Sequence, residues 1–368
     1  MAAAVAKKFD SSSLLRDSDR AARAARIRRV SSGEAGFHRR RVGKCFHYLN
    51  EAGQRVTQPK QLSRIVSLAI PPAWRDVWIC RTQDGHIQAT GVDARGRKQY
   101  RYHSAWRSVR DLAKYGEIVA FGHALPQLRE RVARDLGRRP LSKEKVLAAI
   151  VALLQRTSIR VGNDEYAVSN GSYGLTTLQD RQARIHGAHV SFNFRGKGGK
   201  HHAVEVLDRK LARVVKNCRD IPGKRLFQYV DERGRQRSVS ASDVNRYLRE
   251  ATGYAFTAKE FRTWQGTVQA AMHLVRSDRC TSLRAAKRAL KAAVEAASLQ
   301  LGNTAAICRK AYVHPAVFEA FLDGSLKSEL SAQLARAERK SLAGYSPEEW
   351  AVLAWLERHT RCPVPLAA

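Results

Sequence analysis

Four short stretches of the chain combine cations, an amide and a phenol in a way that suits chemistry on phosphate. They are TSIRVGN around Arg160, RGKGGKHH around Lys197, KEFRTW around Arg262, and LGNTAAICRKAYVHP with Asn303 and Tyr312. Phosphoryl transfer needs a nucleophile, donors for two non-bridging oxygens as negative charge builds on them, and an acid for the departing oxygen. Two arginines, a lysine and a tyrosine are sufficient for that without a metal ion. The stretch RGKGGKHH leaves three local readings open: a phosphate cradle, a solvated hairpin tip, or a flexible mount for one reactive lysine. Against the cradle, GKGGK lacks the Walker spacing and is followed by His rather than Ser or Thr.

Other routes to chemistry are not written in the chain. It contains no GxxxxGK[ST], HExxH or GxSxG pattern, and no cluster of Cys and His at metal-ligand spacing. His201 and His202 are adjacent on a strand-like run, so they point to opposite faces and cannot readily share an ion. The six cysteines lie far apart with no CxxC, which reads as free thiols of a reducing compartment rather than a zinc site or disulfide scaffold. No metal and no cofactor are expected.

The charge balance names a class of partner. Lys and Arg number 66 against 33 Asp and Glu, a formal net charge of +33. An excess this large suits the phosphate backbone of nucleic acid, where each neutralised phosphate releases counterions. An anionic membrane would share that charge preference, but the longest apolar run, VLAAIVALL from Val146 to Leu154, is well short of the roughly 20 residues that span a bilayer. No membrane association is expected, and the N-terminus shows no apolar core of a secretory signal.

The elements that must position these residues fall into three regions. Residues 1–36, rich in Ala, Arg and Ser, read as a flexible basic arm. Residues 37–106 carry the short strand-like runs CFHYL, VWICRT, HIQATGV and KQYRYH separated by turn signals, as in a small antiparallel β domain. Residues 107–362 read as a larger, mainly helical domain, with Val146 to Leu154 on a buried helix. One interruption, HVSFNF and HHAVEV, alternates like two strands and makes RGKGGK the tip of a β-hairpin. Thr257-Ala-Lys-Glu260 has capping-box spacing and starts a helix carrying Arg262 in its early turns, near the positive end of the helix dipole. Ser346-Pro-Glu-Glu349 starts a C-terminal helix running to about Arg361.

Spacing constrains the last pair of candidates. Asn303 and Tyr312 are nine positions apart, which on one helix at about 100° per residue puts them on opposite sides. To face one phosphate the chain must break between or beside them, and Gly302 and Pro315 supply breaks. Asn303 is therefore expected at a cap and Tyr312 near the end of a short helix.

Taken in order, IPPAWRDVWIC (Ile70 to Cys80), GHIQATGVDARGRKQYRYH (Gly85 to His103), IRVGNDEY (Ile159 to Tyr166), FRGKGGK (Phe194 to Lys200), TAKEFRTW (Thr257 to Trp264) and GNTAAICRKAYVHP (Gly302 to Pro315) resemble the type IB DNA topoisomerases of the poxvirus-like bacterial group. The resemblance covers about residues 37 to 320. It implies an α+β fold like that of tyrosine recombinases and type IB topoisomerases, with a β domain followed by a helical catalytic domain. It also implies a catalytic set in which Tyr312 is the nucleophile forming a 3′-phosphotyrosyl bond, Arg160 and Arg262 pair with the non-bridging oxygens, and Lys197 is the general acid. Asn303 stands where viral members have a histidine, and donates a hydrogen bond to a non-bridging oxygen. For DNA contact the resemblance implies Gln99 toward a base edge, Tyr100, Tyr102 and Tyr166 on the backbone, and Arg195 and Lys200 as further backbone contacts. The hairpin glycines would let Lys197 swing beside the scissile bond.

The activity so implied is ATP-independent and metal-independent relaxation of positive and negative supercoils by a monomer clamping double-stranded DNA, in the cytoplasm on a bacterial nucleoid. Each residue alone has a plainer reading: a packed tyrosine, ion-paired arginines, a solvated turn lysine, a capping asparagine. Two other functions share parts of the pattern. A tyrosine recombinase or integrase uses the same nucleophile, but its Arg-His-x-x-Arg spacing is absent, since Arg262 stands alone in FRTW. A non-catalytic basic DNA-binding protein shares the charge, and would trap no covalent adduct with DNA.

Overall fold

The computed structural model describes residues 17–278, 280–339 and 342–359. They form an α+β fold in two compact units divided between Glu117 and Ile118.

Among the described residues the first unit holds helix α1 (Ser18–Ala24), then β1 (Gly36–Val42), β2 (Cys45–Leu49), helix α2 (Pro59–Ser67), β3 (Arg75–Cys80), β4 (Ile87–Val92) and β5 (Lys98–Tyr102). The five strands make one antiparallel sheet in the order β2-β1-β3-β4-β5. Strand alternation sends Val77 and Ile79 of β3 to one face, where they pack with Ala89 and with Ile65 of α2. It sends Trp78 and Cys80 to the other face, against Val30. β5 lies at the sheet edge and alternates, with Lys98, Tyr100 and Tyr102 exposed and Gln99 and Arg101 half-buried between them.

Two expectations change here. Of the arm expected over residues 1–36, residues 1–16 lie outside the described residues, and residues 17–36 are packed rather than free. Asp17 caps α1 by accepting from the backbone N–H groups of Asp19 and Arg20. Ala21 and Ala22 are buried against Trp106, Val109 and Ala113. Further on, Arg28 forms a bridge with Gly85, and the Val30 N–H donates to His86 Nδ1 at 3.0 Å. An Ala-rich face and one valine supply the burial that the basic composition hides. Strand β1 was not anticipated because its inward positions include Arg39. That guanidinium donates to the carbonyls of Ile70, Pro71 and Trp74 and lies over the Phe46 ring, so a cation fills a place usually read as apolar.

Helix α3 (Ser104–Leu136) carries the division between the units. The second unit continues with α4 (Lys143–Thr157), α5 (Asp164–Asn170), β6 (Ala183–His186), β7 (His189–Arg195), β8 (His201–Leu207), α6 (Arg209–Arg219), the hairpin β9 (Gln228–Val230) and β10 (Gln236–Ser238), and α7 (Ala241–Thr252). Then come α8 (Ala258–Arg276), α9 (Leu283–Leu301), α10 (Ala305–Ala311), α11 (Pro315–Leu322), α12 (Ser325–Glu338) and α13 (Pro347–His359). Every residue from Val146 to Leu154 on α4 is buried, as the apolar run predicts. The three-stranded antiparallel sheet β6-β7-β8 turns Val190, Phe192 and Phe194 into the same core. β6 and the β9–β10 hairpin, short and polar, give no sequence signal strong enough to expect them.

Helix α8 is a core helix. Thr257 and Glu260 cap it reciprocally, and Phe261, Arg262, Thr263 and Trp264 are buried in its first turns. Burial of side chains the size of Phe261 and Trp264 stabilises by about 2–3 kcal/mol each. Helix α13 starts at its predicted Ser346, whose N–H donates to Glu349 Oε2 at 3.0 Å while its hydroxyl accepts from the Glu349 N–H at 3.2 Å. Its expected end near Arg361, and the limit of the helical domain at 362, lie outside the described residues. Among the described residues no helix is long and apolar enough to cross a membrane.

Candidate active site

The site is built where three helices end. Helix α4 stops at Ser158, a non-glycine residue in the left-handed region at φ 56°. The carbonyls left unpaired at this end are partly met by Gln265 of α8, whose Nε2 donates to the Gln155 and Leu154 oxygens. The Ser158 hydroxyl donates to Gln265 Oε1 at 2.6 Å, holding the bend. The chain then passes buried Ile159 to half-buried Arg160.

Arg262 is 4% exposed. Its Nη1 donates to the Ser158 carbonyl and its Nη2 to the Leu301 carbonyl, the latter at 2.6 Å. Both acceptors sit at the C-terminal ends of helices, α4 and α9, where the carbonyls carry partial negative charge and attract a cation. Burial, then the neighbouring charge of Arg160, lowers the Arg262 pKa to about 10.

Helix α9 ends at Gly302, in the left-handed conformation. The Gly302 N–H returns to Leu299 O and the Asn303 N–H to Ser298 O, the paired bonds of a Schellman ending. The chain does break at Gly302 as the spacing requires, but the cap of the next helix is Thr304, one residue after the Asn303 expected there. Tyr312 closes α10, its N–H donating to Cys308 O at 2.9 Å. Its backbone is pressed against α8: a Cβ added at Gly266 would lie 2.7 Å from Tyr312 O. Thr267 completes the seat, its hydroxyl donating to Tyr312 O at 3.4 Å and accepting from the His314 N–H at 3.0 Å.

These turns bring four candidates together. Arg160 Nη2 donates to Asn303 Oδ1 at 2.5 Å, and the Arg262 guanidinium carbon lies 5.1 Å from the centroid of the Tyr312 ring. Because arginine can only donate, Asn303 must turn its oxygen to Arg160, leaving its NH₂ group for another partner. Among the described residues that Nδ2, and Arg262 Nε, are buried polar atoms with no hydrogen bond. Burial pushes the Tyr312 phenol up, but Arg262 and then Arg160, by charge and hydrogen bonding, outweigh it and hold it below the ordinary value of 10.0. Two cations, two unpaired donors and a phenol of lowered pKa are chemically suited to holding an oxyanion beside a hydroxyl group.

Lys197 stands apart from this cluster, exposed on the turn Lys197–Gly199 between β7 and β8. No hydrogen bond to its ammonium occurs among the described residues. Arg195 pairs with His201 across the hairpin, and both Arg195 and Lys200 are exposed. On α5, Tyr166 is 47% exposed. In the first unit, Tyr100 and Tyr102 stack on one face of β5 with centroids 5.7 Å apart. Alternation places Gln99 on the opposite face, where its Nε2 donates to Asp93 Oδ2 at 2.9 Å. Among the described residues no three His, Cys, Asp or Glu side chains gather as metal ligands. Sequence reasoning missed the supporting residues Ser158, Gln265, Gly266 and Thr267. Only their proximity to Arg160 and Arg262 in the chain marked them.

Two family models match the chain: the eukaryotic DNA topoisomerase I catalytic core over residues 103–340, and the bacterial DNA topoisomerase IB N-terminal domain over residues 45–93. The DNA topoisomerase 1B of Acanthamoeba polyphaga mimivirus is 31% identical over 286 residues, covering 76% of this chain and 85% of the relative.

Proposed function

Because the chain belongs to the type IB DNA topoisomerase family, we propose that it relaxes positive and negative supercoils by cutting and rejoining one strand of duplex DNA. In this reading the Tyr312 phenol loses its proton to solvent, the phenolate oxygen attacks a backbone phosphorus, and the bond to the 5′-oxygen breaks as Lys197 gives that oxygen a proton. A 3′-phosphotyrosyl bond forms and a 5′-hydroxyl strand is released to swivel. The reverse attack reseals the strand, and since a phosphotyrosyl bond is close in energy to a phosphodiester, no ATP is consumed and no metal is called on.

The observation that carries this reading is the pair of buried, unpaired donors, Asn303 Nδ2 and Arg262 Nε, beside the phenol. Leaving such donors unmatched costs about 1–3 kcal/mol each, which an incoming phosphate oxygen would offset. Arg160 and Arg262 would hold the non-bridging oxygens, where negative charge grows in the transition state. Asn303 serves as donor only, because an amide exchanges no proton near neutral pH. The match to the bacterial N-terminal-domain model and the asparagine at 303 support placement with the poxvirus-like bacterial members. Gln99, Tyr100, Tyr102, Tyr166, Arg195 and Lys200 are proposed as DNA contacts, with phosphate contacts fixing position and Gln99 reading a base edge.

The test is plasmid relaxation in EDTA without ATP, paired with trapping of a covalent protein–DNA adduct. Wild-type protein should do both. Tyr312→Phe should lose both, below about one thousandth of wild type, while still shifting duplex DNA in a binding assay. Full relaxation by Tyr312→Phe would overturn the reading, and binding without any wild-type adduct would return the chain to the non-catalytic alternative.

A further inference from the structure

His202 touches both halves of the proposed machinery. It sits on β8 opposite Phe194 of β7, with the two rings stacked at 10° and centroids 5.1 Å apart. A Cβ added at Gly196 would lie 2.6 Å from His202 Cδ2, so that backbone is pressed on the ring. A Cβ added at Gly302 would collide with His202 Cε1. Gly196 immediately precedes Lys197, and Gly302 immediately precedes Asn303. One imidazole is thus wedged between the mount of the hairpin lysine and the turn that presents the asparagine.

The contact is one of shape. Among the described residues neither ring nitrogen of His202 has a hydrogen-bond partner. Burial first, then the charges of Arg160 and Arg262, lower its pKa. A neutral ring adds no further charge to a crowded cationic site. Flat, rigid and stacked on Phe194, it suits a fixed spacer better than a flexible side chain would.

We infer that His202 is a positioning residue, a spacer that sets the Lys197 turn against the Asn303 turn so that the proton donor and the oxygen-binding donors address the same phosphate. The inference rests on the general-acid role proposed above for Lys197. In the step concerned the Tyr312 phenolate, its proton already lost to solvent, forms the O–P bond, the P–O5′ bond breaks, and a proton passes from the Lys197 ammonium to O5′. Removing the spacer leaves every reacting group in the chain but lets the lysine drift.

A substrate pair separates this from a general structural role. Single-turnover cleavage is measured on a duplex with the normal 5′-bridging oxygen and on one with sulfur there, which leaves as a thiolate without a proton. Four proteins are compared: wild type, Lys197→Ala, His202→Ala and Gly196→Ala. The last is a second probe because Gly196, at φ −98°, accepts an alanine backbone and gains only the collision with the ring. His202→Ala and Gly196→Ala should slow cleavage of the oxygen substrate about 100-fold and leave the sulfur substrate within a few-fold of wild type. In a His202→Ala background, Gly196→Ala should add no further loss, since its collision partner is gone. If Lys197→Ala is rescued by sulfur and His202→Ala is slow on both substrates, or normal on both, the spacer role is wrong while the acid assignment stands. If Lys197→Ala is not rescued, the acid assignment falls and the spacer role with it.

Discussion

The Arg262 guanidinium stands over the Tyr312 ring, 5.1 Å from its centroid, while its two terminal nitrogens are held by the carbonyls of Ser158 and Leu301. A cation fixed by helix ends cannot follow the phenol if it moves. It therefore acts as a stationary charge against which a phenolate is stabilised.

The pH dependence of cleavage should report that charge. With the folded pKa of Tyr312 below 10.0, ionisation begins at lower pH than in a free tyrosine. Single-turnover cleavage should rise with pH and level off before about pH 10. Arg160→Gln removes one of the groups lowering the pKa, so its rising limb should move to higher pH. Its rate at neutral pH should fall about 100-fold. A limb that stays in place would show that Arg160 does not act on the phenol.

Asn303 offers a change with opposite effects on stability and activity. In Asn303→Asp the side chain still accepts from Arg160, now as an ion pair, but the free NH₂ donor becomes an anion facing the position proposed for the phosphate. Cleavage should drop by about 100-fold or more while the melting temperature is unchanged or higher. Asn303→His, which keeps a donor, should lose less. Equal activity of the aspartate variant in stopped-flow cleavage would remove Asn303 from contact with the phosphate.

Glu349 buttresses the helix that carries Arg262. It accepts from Arg129 Nη1 and Nη2, each at 2.7 Å, and from Trp264 Nε1 at 3.2 Å. Burial pushes its pKa up, but Arg129 and the Ser346 and Trp264 donors hold it below the ordinary 4.5. The depressed folded pKa means that its stabilisation is present above pH 4.5 and is lost as pH falls through the folded value. Glu349→Gln should lower stability by about 2–3 kcal/mol at pH 7 and by progressively less in acid, read from urea unfolding at several pH values. A deficit independent of pH would show that packing, not charge, is what Glu349 supplies.

The sequence carried the elements whose signals are local. Thr257 and Glu260 announce α8, the Val146–Leu154 run announces α4, and the alternation of HVSFNF and HHAVEV announces the hairpin. The nine-residue interval between Asn303 and Tyr312 demanded a break, and Gly302 provides it. Features that depend on distant partners were not legible. The burial of residues 17–36 depends on Trp106 and His86, and the inward Arg39 of β1 depends on carbonyls around residue 70. Gln265 gives no hint that it finishes a helix more than 100 residues earlier. The wedge of His202 between two glycines is equally silent, because a glycine in sequence does not say which side chain has taken its room.

The double grip of Arg262 on the ends of α4 and α9 carries a consequence for the chain as it is made. Arg160, Arg262 and the stretch bearing Asn303 and Tyr312 come from three separate segments, and no one segment holds both the phenol and the cations that acidify it. An incompletely folded chain therefore presents Tyr312 as an ordinary tyrosine, without the cations that the proposed cleavage needs. On the proposed mechanism, the hazard of carrying a strand-cutting group would be confined to molecules that have finished folding, with the contacts that stabilise the core acting as the safety catch.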